Sequence, residues 1–479
     1  MKELKRTLGF TTTIAIVVGG IIGSGIFMKP AFMAAQLGSP LLLLSVWVVA
    51  GLMTMCGALC NAEVAAMMPV TGGQLIFFKK MYGDKFAFLY GWASFSVFNT
   101  AGNASIAYIC ATYSNYFFHL PNFNIQLVQH YFFHIPFIGD IYPLDNFGIK
   151  SLTILYIVIF TIINYCSVQM GGFLQKLVTL LQTSAIIFLI VGITFSGKGN
   201  IHHFTQVYNL PKGTLNLLSA YMACISAAFW AYDGWNNITF IAGEIKNPQK
   251  NIPRSLFVGL LIIMGIYLAL NACFMYILPI DKIAASTFLA SDTAVIAIGG
   301  YASILVTLMI IFANAGSSNA CILSTARITY TLGKENTFFK WAGKEQPRFH
   351  TPGNALILNG IWSSLLVISG SFDILTDMLV FVTWFFYGMS GIGLFVLRKK
   401  MKDTIRVYTV WGYPIVPIIF ILFVFIFLIV TLYGDINDYL NHTTNLINSV
   451  FGIAITLVGF PIYYLSKKMK GNTILPIKN

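Results

Sequence analysis

A chain of 479 residues that is 57% hydrophobic, only 9% charged and +0.77 in mean hydropathy is excluded from the ordinary soluble globular class and reads as an integral membrane protein. Its formal charge of +13 invites a nucleic-acid partner, but the distribution argues against one. With the N-terminus in the cytoplasm, only five of the 29 Lys and Arg residues fall outside (Lys29, Lys150, Lys198, Lys212 and Lys282) and the other 24 inside. This positive-inside asymmetry predicts cytoplasmic N- and C-termini.

Hydrophobic runs long enough to span a bilayer fall near 11–34, 41–69, 86–117, 150–167, 173–195, 215–243, 254–279, 293–330, 354–370, 374–397, 413–433 and 447–466. They predict a single all-α membrane domain of twelve transmembrane helices over 1–479. Met1 to Arg6 leads straight into a full-length span, so no cleavable signal is expected.

The first run carries the glycine-rich segment VGGIIGSGIF, Val18 to Phe27. Gly19-x-x-x-Gly23 alone would suit close helix packing. Ser24 flanked by glycines, together with a second interruption at Tyr232-Asp233-Gly234-Trp235 in the sixth run, favours unwinding instead. Hydrocarbon offers a freed backbone group no partner, so two breaks imply a buried polar site, and matching positions in two halves imply inverted repeats around it. Runs one to five (about 7–195) and six to ten (about 215–400) form the expected five-plus-five repeat with discontinuous helices 1 and 6, and helices 11–12 (about 410–468) are peripheral. Unwinding would free the amides of Ser24 and Gly25 for a carboxylate. Carbonyls near Ile21, Ile22, Phe229 and Trp230, with Gly23, Ala231 and Gly234 beside them, would receive an ammonium. An anion site next to a cation site fits a zwitterionic α-amino acid.

The outer connection 118–149 holds His119, His130 and His134 and reads as a partly folded cap rather than a metal site. All seven cysteines (Cys56, Cys60, Cys110, Cys166, Cys224, Cys273, Cys321) lie in spans and read as packing. Asp233 is ionisable at membrane depth, a functional signal by default. Capping the freed amides ranks ahead of pairing with a substrate cation or carrying a proton. Helix eight brings a polar stripe of Asn314, Gly316, Ser317, Ser318 and Asn319, and Glu63, Glu244 and Arg327 read as an inner charge network.

The stretch from Ala227 to Pro253, AAFWAYDGWNNITFIAGEIKNPQKNIP, resembles the amino acid-polyamine-organocation superfamily, in particular its L-type amino acid transporter branch. GGIIGSGIF, Ala62-Glu63, Pro69 to Gly73, Phe372 to Lys400 and RVYTVWGYPIVP carry the same resemblance. It implies a LeuT-like fold, alternating access and L-amino acid transport, often by exchange. Trp230 sits where that family places an aromatic gate, and it lies too far from either predicted end to be an interfacial anchor. Tyr267 aligns with a family tyrosine near the helix-one break, where a structural and a gating hydrogen bond are both open. Gln182 aligns with a position where many relatives carry Lys, so coupling through an intramembrane Lys is not expected, and Lys176 reads as a snorkelling side chain. Eukaryotic relatives join a glycoprotein through a Cys between helices three and four. The 118–149 connection has none, so no disulfide-linked heavy chain is expected, and a bacterial inner membrane is the implied setting.

The sequence therefore predicts a sodium-independent exchanger of neutral amino acids without cofactors. A proton-coupled symporter, a cationic amino acid or polyamine transporter and a sensor on the same fold are the alternatives. A channel would need a continuous polar ring, and an enzyme would need a motif such as HExxH, GxSxG or a P-loop, none of which occurs.

Overall fold

The break in the first predicted span separates α1 (Phe10–Ile21) from α2 (Gly25–Leu37), and the two axes bend by 47°. This computed structural model describes residues 8–23, 25–68, 73–166, 168–240, 242–334, 338–349, 351–404 and 406–471. Both Ser24 and Pro69 to Gly72 lie outside the described residues, as do Met1 to Arg6. After α2, Ser39 caps α3 (Pro40–Met67) by accepting from the Leu42 amide at 3.5 Å, with Pro40 in the first turn, a favoured helix start.

Beyond the short α4 (Gly73–Tyr82), the third predicted run is one helical stretch. It consists of α5 (Asp84–Ala93), a π-helical segment Ser94–Asn99 and α6 (Thr100–Ser114). The widened turn is supported from within: Thr100 Oγ1 donates to the Phe95 carbonyl at 2.7 Å and Asn99 Nδ2 to Ser94 Oγ at 2.9 Å. Both reach five residues back, the spacing of a π-turn.

The 118–149 connection folds into α7 (Ile125–His130) and a hairpin of β1 (Phe133–Ile135) and β2 (Gly139–Ile141), with Phe133 opposite Ile141. His134 sits on the strand and pairs with Asp140 at 2.7 Å, so it shares no helical face with His130. No group of three or more His, Cys, Asp or Glu side chains among the described residues is arranged to hold a metal.

Next come α8 (Phe147–Cys166) and α9 (Val168–Thr194). In the sixth run α10 (Thr214–Tyr232) stops at the predicted place, and only a single turn, α11 (Asn237–Phe240), resumes after it. The chain continues through α12 (Pro248–Ile277), α13 (Ile280–Ala285), α14 (Leu289–Ala297) and α15 (Gly300–Lys334). The eighth predicted run, 293–330, thus spans two helices, because the chain turns at Gly299-Gly300. The last elements are α16 (Gly353–Ser369), α17 (Phe372–Lys400), α18 (Ile415–Leu440), α19 (Asn448–Leu457) and α20 (Gly459–Gly471).

Among the described residues, eight helices are long and apolar enough to cross a membrane, nine if the bent α1 and α2 count as one span. The chain is a multi-pass membrane protein. α17 is its central post, packed against α3, α6, α10, α18 and α19, with 72% of its apolar window buried. α18 has the higher mean hydropathy, 3.3, yet only 28% of its window is buried. A strongly apolar helix with so little protein around it faces lipid.

At the basic end of α17 the Glu63 carboxylate is fully buried. It accepts from Arg398 Nε at 2.8 Å and Nη2 at 2.6 Å, and from the Val410 amide at 2.7 Å. Arg406 stands at 3.9 Å from it, and the Arg398 guanidinium lies 3.4 Å over the Tyr413 ring. Glu63 thus pairs with Arg398, a residue outside the expected inner network of Glu63, Glu244 and Arg327. Stranding a buried carboxylate costs about 3–5 kcal/mol. Arg398→Ala should lower the melting temperature of the detergent-purified protein sharply, whereas Arg398→Lys should lower it less. Melting unchanged in Arg398→Ala would show that the pair does not hold α3 to α17.

Candidate functional site

Two helix ends that lose their next turn must find other partners for their carbonyls, and here a single phenol serves both. Tyr267 on α12 is fully buried, and its single hydroxyl proton is shared between the Ile21 carbonyl at 3.1 Å and the Ala231 carbonyl at 2.9 Å. One atom thus ties the end of α1 to the end of α10. Beside it, Tyr232 Oη donates to the Trp47 carbonyl of α3 at 3.0 Å. Trp47, Tyr232 and Tyr267 form a packed triangle with ring centroids 5.2–5.9 Å apart, the separation at which aromatic rings attract.

The two broken strands touch each other through glycine. Gly234 has φ +101°, and a Cβ there would overlap the Gly20 carbonyl oxygen, so this turn needs both the left-handed freedom and the missing side chain. Gly25 opens α2 directly against α10: a Cβ would lie 2.8 Å from Ala231 Cα and 3.1 Å from Trp230 Cδ1. The sequence assigns Gly25 to the approach of a substrate carboxylate. In the structure its bare α-carbon is also what lets the two broken helices meet.

Of the predicted carbonyls, Ile21 shares the Tyr267 hydroxyl with its neighbour Ala231, and Trp230 accepts from the Asp233 amide at 3.3 Å. A carbonyl has a second lone pair, so these atoms retain capacity for an ammonium. Ile22 is buried, its amide donating to the Val18 carbonyl at 2.9 Å. The Phe229 side chain turns away from the break and stacks on Trp384 with ring centroids 3.3 Å apart. Trp230 packs edge-on to Phe372 at 6.3 Å, and its indole Nε1 is buried without a hydrogen-bond partner.

Asp233 follows α10 in extended conformation, φ −66° and ψ 161°. Its carboxylate accepts from Tyr387 Oη of α17 at 3.0 Å, a partner absent from the sequence expectation. The Tyr387 ring packs on Trp235 at 4.8 Å. No Lys, Arg or His among the described residues forms an ion pair with Asp233. Toward the basic end, Asn61 Nδ2 donates to Asn236 Oδ1 at 2.6 Å and Ser390 Oγ to Asn61 Oδ1 at 3.3 Å, joining α3, α17 and the turn after the break.

Gln182 and Ser317 meet: Gln182 Nε2 donates to Ser317 Oγ at 3.0 Å between α9 and α15. Asn164 donates to Asn319 Oδ1 at 2.8 Å across α8 and α15, so part of the polar stripe of α15 stitches helices together. The Lys176 side chain lies outside the described residues. At the opposite end from Arg398, Lys29 of α2, counted from sequence among the outer lysines, is 1% exposed. Its ammonium donates to Asp373 Oδ1 at 2.7 Å and Thr376 Oγ1 at 2.8 Å, and lies 4.6 Å from the Phe372 ring centre.

The amino acid permease family profile matches residues 8–460. The serine/threonine exchanger SteT of Bacillus subtilis is 29% identical over 472 residues, covering 98% of each chain. The b(0,+)-type amino acid transporter 1 of Mus musculus is 29% identical, over 88% of this chain and 81% of its own. The large neutral amino acids transporter small subunit 2 of Homo sapiens is 26% identical, over 96% of this chain and 80% of its own.

Replacing Tyr267 by Phe would remove the shared donor from two buried carbonyls, a loss of about 1–3 kcal/mol. Expression and membrane insertion should survive while substrate affinity falls. Unaltered affinity in Tyr267→Phe would remove the hydroxyl from the site. Gly234→Ala should be the harsher change, since it strains φ and displaces Gly20 as well, and binding should be abolished in the inserted protein.

Proposed function

The chain belongs to the amino acid permease family, and on that premise we propose a secondary active transporter of L-amino acids that works by alternating access. The observation that carries the proposal is the junction of two interrupted helices at one buried tyrosine. Helix-end amides of α2 and spare carbonyl lone pairs at Ile21, Ile22 and Ala231 offer complementary sites for the two charges of an amino acid. In this reading the chain spans the membrane twelve times, its first ten spans are an inverted five-plus-five repeat, and both termini are cytoplasmic in a bacterial inner membrane. Gly23, Gly25, Trp230, Asp233 and Gly234, with the backbone of Phe229, surround the substrate. Trp230 closes over it, and the Lys29 to Asp373 pair and the Glu63 to Arg398 pair brace the outer and inner ends.

Exchange of neutral amino acids without sodium is the mode proposed. Gln182 is neutral and already engaged by Ser317, and a sodium site wants several oxygen ligands. The hydrogen bond from Tyr387 occupies one oxygen of Asp233, which favours a structural role for that carboxylate. A second reading, transport of cationic amino acids, draws on the absence of a protein cation paired with Asp233 among the described residues.

Counter-flow into proteoliposomes tests these readings. Labelled neutral L-amino acid should accumulate only against internal unlabelled amino acid, with the same initial rate in sodium and in potassium. A steep sodium dependence would overturn the coupling assignment. Asp233→Asn should retain most neutral transport. Selective loss of lysine and arginine uptake in that variant would replace the neutral reading by the cationic one.

A further inference from the structure

At the end of the molecule opposite Arg398 lies a cavity of about 670 Å³ that the site at the helix breaks does not use. That volume suits a small molecule. Its walls come from α2, α10, α17, α18 and the connections 139–145 and 441–448. From Ala223 on its wall to Trp230 is about two turns of α10, or roughly 10 Å.

The lining carries six aspartates, Asp140, Asp145, Asp373, Asp377, Asp435 and Asp438, against one lysine, Lys150, in a protein whose formal charge is +13. Three of the six are accounted for at close range. Lys29 holds Asp373, His134 holds Asp140, and Asn146 donates to Asp145 at 3.0 Å. Lys150 spends its ammonium on the Tyr142 and Ile368 carbonyls at 2.9 and 3.3 Å. Asp377, Asp435 and Asp438 therefore face the cavity with no Lys, Arg or His ion pair among the described residues. Asp435 accepts from the Ser449 amide at 2.8 Å.

A second observation points to a donor ligand. Asn448 lines the same cavity at 8% exposure, and its Oδ1 is buried with no hydrogen-bond partner. Thr444 Oγ1, also in the lining, is unpartnered as well. A buried acceptor without a donor is unfavourable, and carboxylates in the same lining call for a donor that is also a cation. No metal-ligating group is arranged among the described residues, and an alkylammonium supplies three N–H donors on one positive charge.

We propose that this cavity is a second binding site, for a primary alkylammonium group, held by Asp377, Asp435 and Asp438 with Asn448 accepting one of its hydrogens. Two sources share that chemistry: a free diamine, or the side chain of a cationic amino acid captured on its way to the helix breaks.

Calorimetric titration of the full chain in nanodiscs distinguishes them. The probes are a linear five-carbon diamine, L-lysine, and L-norleucine, which keeps the lysine skeleton without its ammonium. The diamine should bind saturably, about tenfold or more weaker in Asp435→Asn and in the rim variant Asp438→Asn, and weaker at high salt. Asp84→Asn, at the far end of the molecule, should leave it unchanged. Diamine affinity should persist in Gly234→Ala, where amino acid binding at the breaks is lost, so the two sites fail separately. Lysine binding that persists in Gly234→Ala and falls in Asp438→Asn would identify captured substrate, and diamine binding alone would identify a free diamine. Absence of saturable diamine binding, equal binding of norleucine in Gly234→Ala, or affinity unchanged in both folded Asp variants would overturn the proposal.

Discussion

A backbone carbonyl inside a membrane must be paired by the protein itself, and the structure around both helix breaks follows from that requirement. Tyr267 meets it at Ile21 and Ala231 with one hydroxyl. The glycines then follow as consequences. Gly25 and Gly234 allow the two strands to come close enough for one phenol to reach both, and the triangle of Trp47, Tyr232 and Tyr267 fixes where that phenol points.

The positions of the breaks are legible in the sequence because a glycine pair and an Asp-Gly step would only weaken a continuous apolar helix. The meeting of Gln182 with Ser317 is half legible: the sequence singles out both, but their mutual hydrogen bond depends on the packing of α9 on α15. Tyr387 carries no such signal, because it sits in FVTWFFYG, where an aromatic residue reads as core, and its partner Asp233 is 154 residues away. Charge bookkeeping places Lys29 at the outer surface and cannot see that Asp373 is folded onto it. The partner of Glu63 is hidden for a related reason. Several basic residues end inner helices, and only the packing of α17 on α3, with the return of the 406–410 segment, makes Arg398 and Arg406 its neighbours. The division of the eighth run leaves no mark either, because 293–330 is largely apolar around the turn and Gly299-Gly300 adds no polar side chain.

Charge is distributed along α17 in a way that joins these observations. Its first turn holds Asp373 and its last holds Arg398, Lys399 and Lys400, each sign at the end that the helix dipole favours. Between them stand Asp377, at the acidic cavity, and Tyr387, which holds Asp233. One helix thus touches the outer pair, the cavity, the break and the inner pair, which accounts for its being the most buried of the long spans.

The one Tyr267 proton shared by two helix ends couples them mechanically. Because α12 grips the ends of α1 and α10 at the same atom and also packs along α3, neither broken end can slide along its axis without dragging the other or giving up a buried partner. The junction behaves as a shared pivot: rotation about it keeps both bonds, translation does not. Any rearrangement that opens one face of the molecule and closes the other is thereby steered toward rocking of α1 and α10 together, with α3 and α12 as the fixed bearing.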